Sequence, residues 1–171
     1  MKRLLLLAGL GLALLASNAR ADTTVVVKGV HLCCPACVGA VGKILKGAGC
    51  KGMCDQKAGI ITITAEDDKS AAKAVEALAA GGFHGDTGNK DIAFKDDSGS
   101  KPGKVKTATV SGIHNCCPLC CKAIKAAVAK VKGVEKEDAK PKADTFTVSG
   151  DFEPADLVKA LNDAGFHVKV K

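Results

Sequence analysis

Apolar positions along this chain switch between strand-like runs and helical spacing, and they make the same switches twice. Val25 to Lys28 and Val105 to Val110 are β-branched runs that predict a first strand. From Pro35 the apolar positions recur at Cys37, Val41, Ile44, Leu45 and Ala48, and from Pro118 at Cys120, Ile124, Val128 and Val131, which is helical spacing. Proline is favoured at a first helical position because its missing N–H would have no intrahelical partner there. The pattern therefore predicts Cys34 and Cys117 at N-caps, with Cys37 and Cys120 in the first turns. A weak strand from Met53 to Lys57 (Val134 to Lys140) precedes a clearer one at Ile60 to Ala65 (Thr145 to Ser149). An Ala- and Leu-rich helix follows, about Ser70 to Ala80 and Pro154 to Ala164, and ends in glycine as helices often do. A short strand from Phe83 or Phe166 closes each unit.

Strand, helix, strand, strand, helix, strand is a split β-α-β on an antiparallel sheet, so the expected class is α+β with two tandem ferredoxin-like βαββαβ domains. The repeat is gapless at an offset of 83 residues. His31 falls on His114, Cys33-Cys34-Pro35 on Cys116-Cys117-Pro118, Cys37 on Cys120, and Gly82-Phe83-His84 on Gly165-Phe166-His167. The expected division is a signal peptide at 1–21, a first domain at 22–94, a linker at 95–104 and a second domain at 105–171. "KDDSGSKPGK", Lys95 to Lys104, has the composition of a flexible connector. Each unit is small enough that a bound metal or a disulfide would add usefully to a thin core.

The leading segment is a basic start, Met1-Lys2-Arg3, an apolar run from Leu4 to Ala16, and the small-x-small Ala19-Arg20-Ala21. These are the parts of a cleaved export signal, with Asp22 as the new N-terminus. The run falls short of the ~20 residues a membrane span requires, so secretion or a periplasmic location is expected, with no stable membrane insertion after cleavage. From Asp22 onward there are 22 lysines, 18 acids and no Arg, Trp or Tyr. A mild excess of lysine without arginine forks or stacking aromatics argues against nucleic acid as a partner. Residues 95–171 carry the whole excess, 14 Lys against 10 acids.

Candidate chemistry resides in "HLCCPAC" and "HNCCPLC". Two thiols at i and i+3 on a helix N-terminus converge, and free N–H groups with the helix dipole favour their thiolates. Thiolates are the soft ligands that select Cu(I), Zn(II) and similar ions. Cys34 with Cys37, and Cys117 with Cys120, are the core ligand pairs. Cys33 and Cys116 can add a third thiolate. His31 and His114 can complete a tetrahedral set suited to zinc, or only cap and pack in the loop. Cys121 replaces Val38 of the first copy and reads as a partly buried helix residue. Phe83 and Phe166 read as core aromatics that shield the site, and His84 and His167 as solvent-facing. Cys50 and Cys54 follow a helix roughly 20 Å long, so they belong at the opposite end, where a local disulfide is expected.

"CPACVGAVGKIL" and "CPLCCKAIKAAV", with the late Gly-Phe pair, resemble the heavy-metal-associated domain. Here a His and an extra Cys stand before the motif, and the methionine that family carries there is absent. The resemblance, in plan to periplasmic mercury-binding proteins and copper chaperones, implies metal-ion transport or scavenging. It implies a soft metal ion as cargo, Cu(I) first, with Hg(II) or Zn(II) as alternatives. It also implies metal-donor or metal-acceptor proteins, such as a metal transporter, as partners. One ion is expected per repeat, passed on by thiolate exchange. The same Cys pairs could instead form an extracytoplasmic thiol–disulfide redox centre, or simply staple the fold. No Ser/His/Asp array, phosphate loop or paired carboxylates support another enzyme, so none is expected.

Overall fold

The computed structural model describes residues 22–171, and the expected signal peptide at 1–21 lies outside the described residues. The elements are β1 (Thr23–Val27), α1 (Pro35–Gly47), β2 (Lys51–Asp55), β3 (Ile60–Ala65) and α2 (Asp68–Ala80), then β4 (Val105–Ser111), α3 (Pro118–Val128), β5 (Val134–Glu137), β6 (Thr145–Phe152), α4 (Pro154–Asp163) and β7 (Lys169–Val170). They form two antiparallel sheets, ordered β1-β3-β2 and β5-β6-β4-β7, each with two of the four helices. This mixed architecture is consistent with a ferredoxin-like arrangement. No described helix is long and apolar enough to cross a membrane.

The alternation of β3 explains its placement between β1 and β2: Ile61, Ile63 and Ala65 bury one face while the intervening residues stay half-exposed. Cys37, Val41 and Leu45 form the buried stripe of α1 at four-residue spacing, and Ala71, Ala74, Val75 and Leu78 that of α2. The Asp67 carboxylate accepts from the Ser70 amide at 2.8 Å, which starts α2 two residues before the expected Ser70. In the C-terminal half the core comprises Val110, Phe146, Val148, Phe152, Ile124, Leu157 and Leu161.

Two expectations need correction. The closing strand survives only as β7 in the second half; in the first it shrinks to one bridge, Lys28 with Asp86, at the position equivalent to Ser111 with Lys169. Gly85, Thr87 and Gly88 surround that bridge, a composition poorly suited to strand. Residues 95–104 are also docked rather than free. Ser98 is buried and accepts from the Val170 amide at 2.7 Å, and Asp97 binds His167 and Lys169.

The halves meet along a seam with near two-fold symmetry. The His84 amide donates to the Gly165 carbonyl and the His167 amide to the Gly82 carbonyl, both at 3.1 Å, which creates an antiparallel bridge between Phe83 and Phe166. The partners differ by the repeat offset of 83, so each half offers the same surface to the other.

Candidate metal centre

Pro35 and Pro118 begin α1 and α3 as the sequence predicts, with Cys34 and Cys117 as extended N-cap residues whose side chains close no cap hydrogen bond. The seam turns these two helix N-termini toward each other. Six sulfurs from the two halves come together there. Within the first half, Cys37 Sγ lies 3.7 Å from Cys33 Sγ and 3.6 Å from Cys34 Sγ. Within the second, Cys120 Sγ lies 3.6 Å from Cys116 Sγ and 3.8 Å from Cys117 Sγ. Across the seam, Cys33 approaches Cys117 at 3.5 Å and Cys120 at 3.4 Å, while Cys116 approaches both Cys34 and Cys37 at 3.6 Å. Cys37 and Cys120, fully buried, face each other at 3.9 Å.

The histidines frame this cluster by crossing over. His31 packs on Phe166 of the other half with centroids 4.5 Å apart, and His114 stacks on Phe83 at 4.2 Å. Ligand atoms of His31, Cys33 and Cys120 lie within 4.8 Å of one another, as do those of His114, Cys37, Cys116 and Cys120. Both His Nε2 atoms are buried without a hydrogen-bond partner among the described residues. A buried polar atom left so costs about 1–3 kcal/mol, which a bound cation or a thiolate would offset.

Electrostatics divides the thiols. Backbone amides, Cys120's first and then Leu119's, face Cys117 Sγ and bring that thiol down to about 7. Burial pushes Cys116 up to about 12 and Cys33 up as well, and the adjacent Cys120 together with burial raises Cys37. Burial, then the charge of His114, lowers His31, which keeps its imidazole neutral and able to ligate. Cys117 is therefore the readily formed thiolate, while Cys33, Cys37 and Cys116 hold their protons until positive charge enters.

The donors fit a soft metal ion. Two sulfurs about 2.3 Å from one tetrahedral ion lie about 3.8 Å apart, within the observed 3.4–3.9 Å spread. All eight residues proposed from the sequence, Cys33, Cys34, Cys37, Cys116, Cys117, Cys120, His31 and His114, meet in one place. The expected separation into one site per repeat is not what the seam produces. The signal for it was the repeated Gly-Phe-His, whose backbone forms the bridge.

Other expectations divide. Phe83 and Phe166 are core aromatics as expected, each only 1% exposed, but each covers the other half's histidine. Cys121 is buried and its thiol donates to the Ala139 carbonyl, clear of the cluster. Cys50 and Cys54 are free thiols, not the expected disulfide. Cys50 is buried beneath α2 with its thiol within reach of the Ala48 and Ser70 carbonyls, and Cys54 lies on β2.

His167 is buried and His84 is half-buried against it, so neither projects freely into solvent. Their Nδ1 atoms lie 3.2 Å apart, and His167 Nε2 donates to Asp97 at 2.7 Å. With both rings neutral, His167 Nδ1 is then the acceptor and His84 Nδ1–H the donor. Burial first, then the charge of His167, lowers His84 to about 4. An unfolded chain takes up that proton near 6.5, so His84's share of stability is complete above that pH and is lost as pH falls toward 4. Urea midpoints measured from pH 7 to 4.5 should fall, and His84→Gln should flatten the decline. An equally steep decline in the variant would remove His84 from the account.

Residues 106–167, from β4 through His167, match the heavy-metal-associated domain family. That match supports heavy-metal binding. No curated protein matches the chain. Among solved structures, the solution structure of the N-terminal soluble domains of Bacillus subtilis CopA is similar at 17% identity and a TM-score of 0.32, covering 89% of this chain and 95% of that one.

Proposed function

We propose that the protein is an exported soft-metal-ion carrier or scavenger, built from two tandem heavy-metal-associated domains at 22–94 and 105–171, with Cu(I) as the favoured cargo. The observation that carries this reading is the convergence of six thiols at two helix N-termini, with sulfur separations of 3.4–3.9 Å. The second copy is supported by the gapless repeat and the symmetric seam. His31 and His114 border the cargo with buried Nε2 atoms that have no hydrogen-bond partner among the described residues. Cys34 and Cys117 are half-exposed, and Leu119 between Cys117 and Cys120 is 55% exposed. An incoming thiolate from a donor protein or a metal transporter meets the site on that side and exchanges by sharing the ion. Function as an enzyme is not proposed.

The test is an anaerobic titration of reduced protein beginning at Asp22 with Cu(I), Zn(II) and Hg(II) against competing chelators. Tight binding of Cu(I) is expected, with ultraviolet thiolate-to-metal bands that no Trp or Tyr obscures. If no ion binds tightly and the protein reduces or isomerises disulfides, the redox reading of the same pairs replaces this one. Export is tested separately: protein recovered outside the cytoplasm should begin at Asp22, and a retained Met1 would overturn it.

A further inference from the structure

The crowding of the sulfurs bears on how many ions the site takes. Cys33 Sγ is nearer to Cys120 and Cys117 of the other half, at 3.4 and 3.5 Å, than to Cys37 of its own, at 3.7 Å. Four triangles of sulfurs close with every edge between 3.4 and 3.9 Å: Cys33-Cys37-Cys120, Cys33-Cys117-Cys120, Cys34-Cys37-Cys116 and Cys37-Cys116-Cys120. Each of the four draws on both halves. A three-coordinate ion seated on any of them is held by the seam, not by one Cys-x-x-Cys.

Resting on the soft-metal reading above, we infer that the two repeats form a single polynuclear Cu(I)–thiolate centre across the seam, not two single-ion sites. Cu(I) accepts three thiolates, and a thiolate can bridge two ions. Six bridging thiolates then satisfy about four Cu(I) per chain. A planar ion about 2.3 Å from three sulfurs spaces them about 4 Å apart, the upper end of what the triangles show, so small movements suffice. Charge points the same way. One monovalent ion leaves most of the six sulfurs either protonated or crowded as like charges, whereas several shared ions neutralise them together. Cys33 and Cys116, adjacent to the Cys-x-x-Cys pairs, become bridging members of the cluster. The imidazoles of His31 and His114, packed on the opposite phenylalanines, close its two sides.

Native mass spectrometry of the whole reduced protein during Cu(I) titration, with cuprous-thiolate emission recorded in parallel, tests this. Loading should pass from the metal-free form to about four Cu(I) with few intermediates, and emission should rise with it. Cys33→Ser or Cys116→Ser, each at a half-exposed position, should lower the final count and the emission of the whole centre. In the wild type, the first sub-stoichiometric aliquot should shift the NMR amides of Ala36 and Leu119 together, a readout that needs no variant. Two ions bound independently, with Cys33→Ser leaving the count unchanged and Ala36 and Leu119 responding separately, would overturn the shared centre while leaving soft-metal binding intact. Absence of tight Cu(I) binding would overturn both.

Discussion

Gly165→Ala should open the seam and expose the His84 and His167 amides to exchange while each half keeps its own sheet. Gly165 has φ +87°, and a Cβ there would lie 2.3 Å from the His31 nitrogen and 2.6 Å from the Gly29 carbonyl oxygen. These are backbone atoms of the other half and cannot swing aside. Gly82 mirrors it, with φ +80° and a Cβ 2.2 Å from the His114 nitrogen. The left-handed conformation alone costs about 1 kcal/mol, and the collision should bring the total to about 3 kcal/mol. Gly88→Ala is the control: φ is also positive, but nothing lies within 4 Å, so only the smaller cost should appear. Hydrogen exchange of the two amides with a parallel urea titration separates the cases. Equal losses in Gly88→Ala and Gly165→Ala would mean that close approach across the seam contributes nothing.

The larger effect on metal belongs to Cys37→Ser combined with Cys120→Ser. These two sulfurs are the hub, each in contact with four others at 3.4–3.9 Å, and both are fully buried. Serine keeps the volume but replaces a soft donor with a hard one. Cu(I) affinity should fall at least about a thousandfold, or roughly 4 kcal/mol. Cys121→Ser, one residue further along α3, should leave affinity unchanged because its sulfur faces the Ala139 carbonyl. Competition with a chelator of known strength measures both. Near-wild-type affinity in the double variant would place the metal elsewhere in the protein.

These residues also mark how far sequence reasoning reached. Proline at a helix start is a local steric signal, so the cap positions of Cys34 and Cys117 were legible, as was the alternation of β3 from Ile60 to Ala65. Periodicity shows which face of an element is buried but not which partner covers it. That is why Phe83 and Phe166 were recognised as shields, yet each shields the other repeat's histidine. His84 and His167 were misread for the same reason: a lone polar residue after a core aromatic reads as exposed unless the facing surface is known. The connector misled through composition, since Asp97 and Ser98 look like linker residues but bind His167 and the Val170 amide. The crossed sulfurs needed the seam, and its only trace in the sequence was the duplicated Gly-Phe-His.

The seam joins two parts of one polypeptide, and this decides how the centre responds to dilution. A comparable site shared between separate chains would assemble by collision and fall apart when protein is scarce. Here the second half is supplied in cis at an effective concentration on the order of millimolar. The docking of Asp97 and Ser98 against the C-terminal half narrows the search further. Assembly of the centre is thus first order in protein, and its loading at trace abundance is governed by the free ion concentration alone.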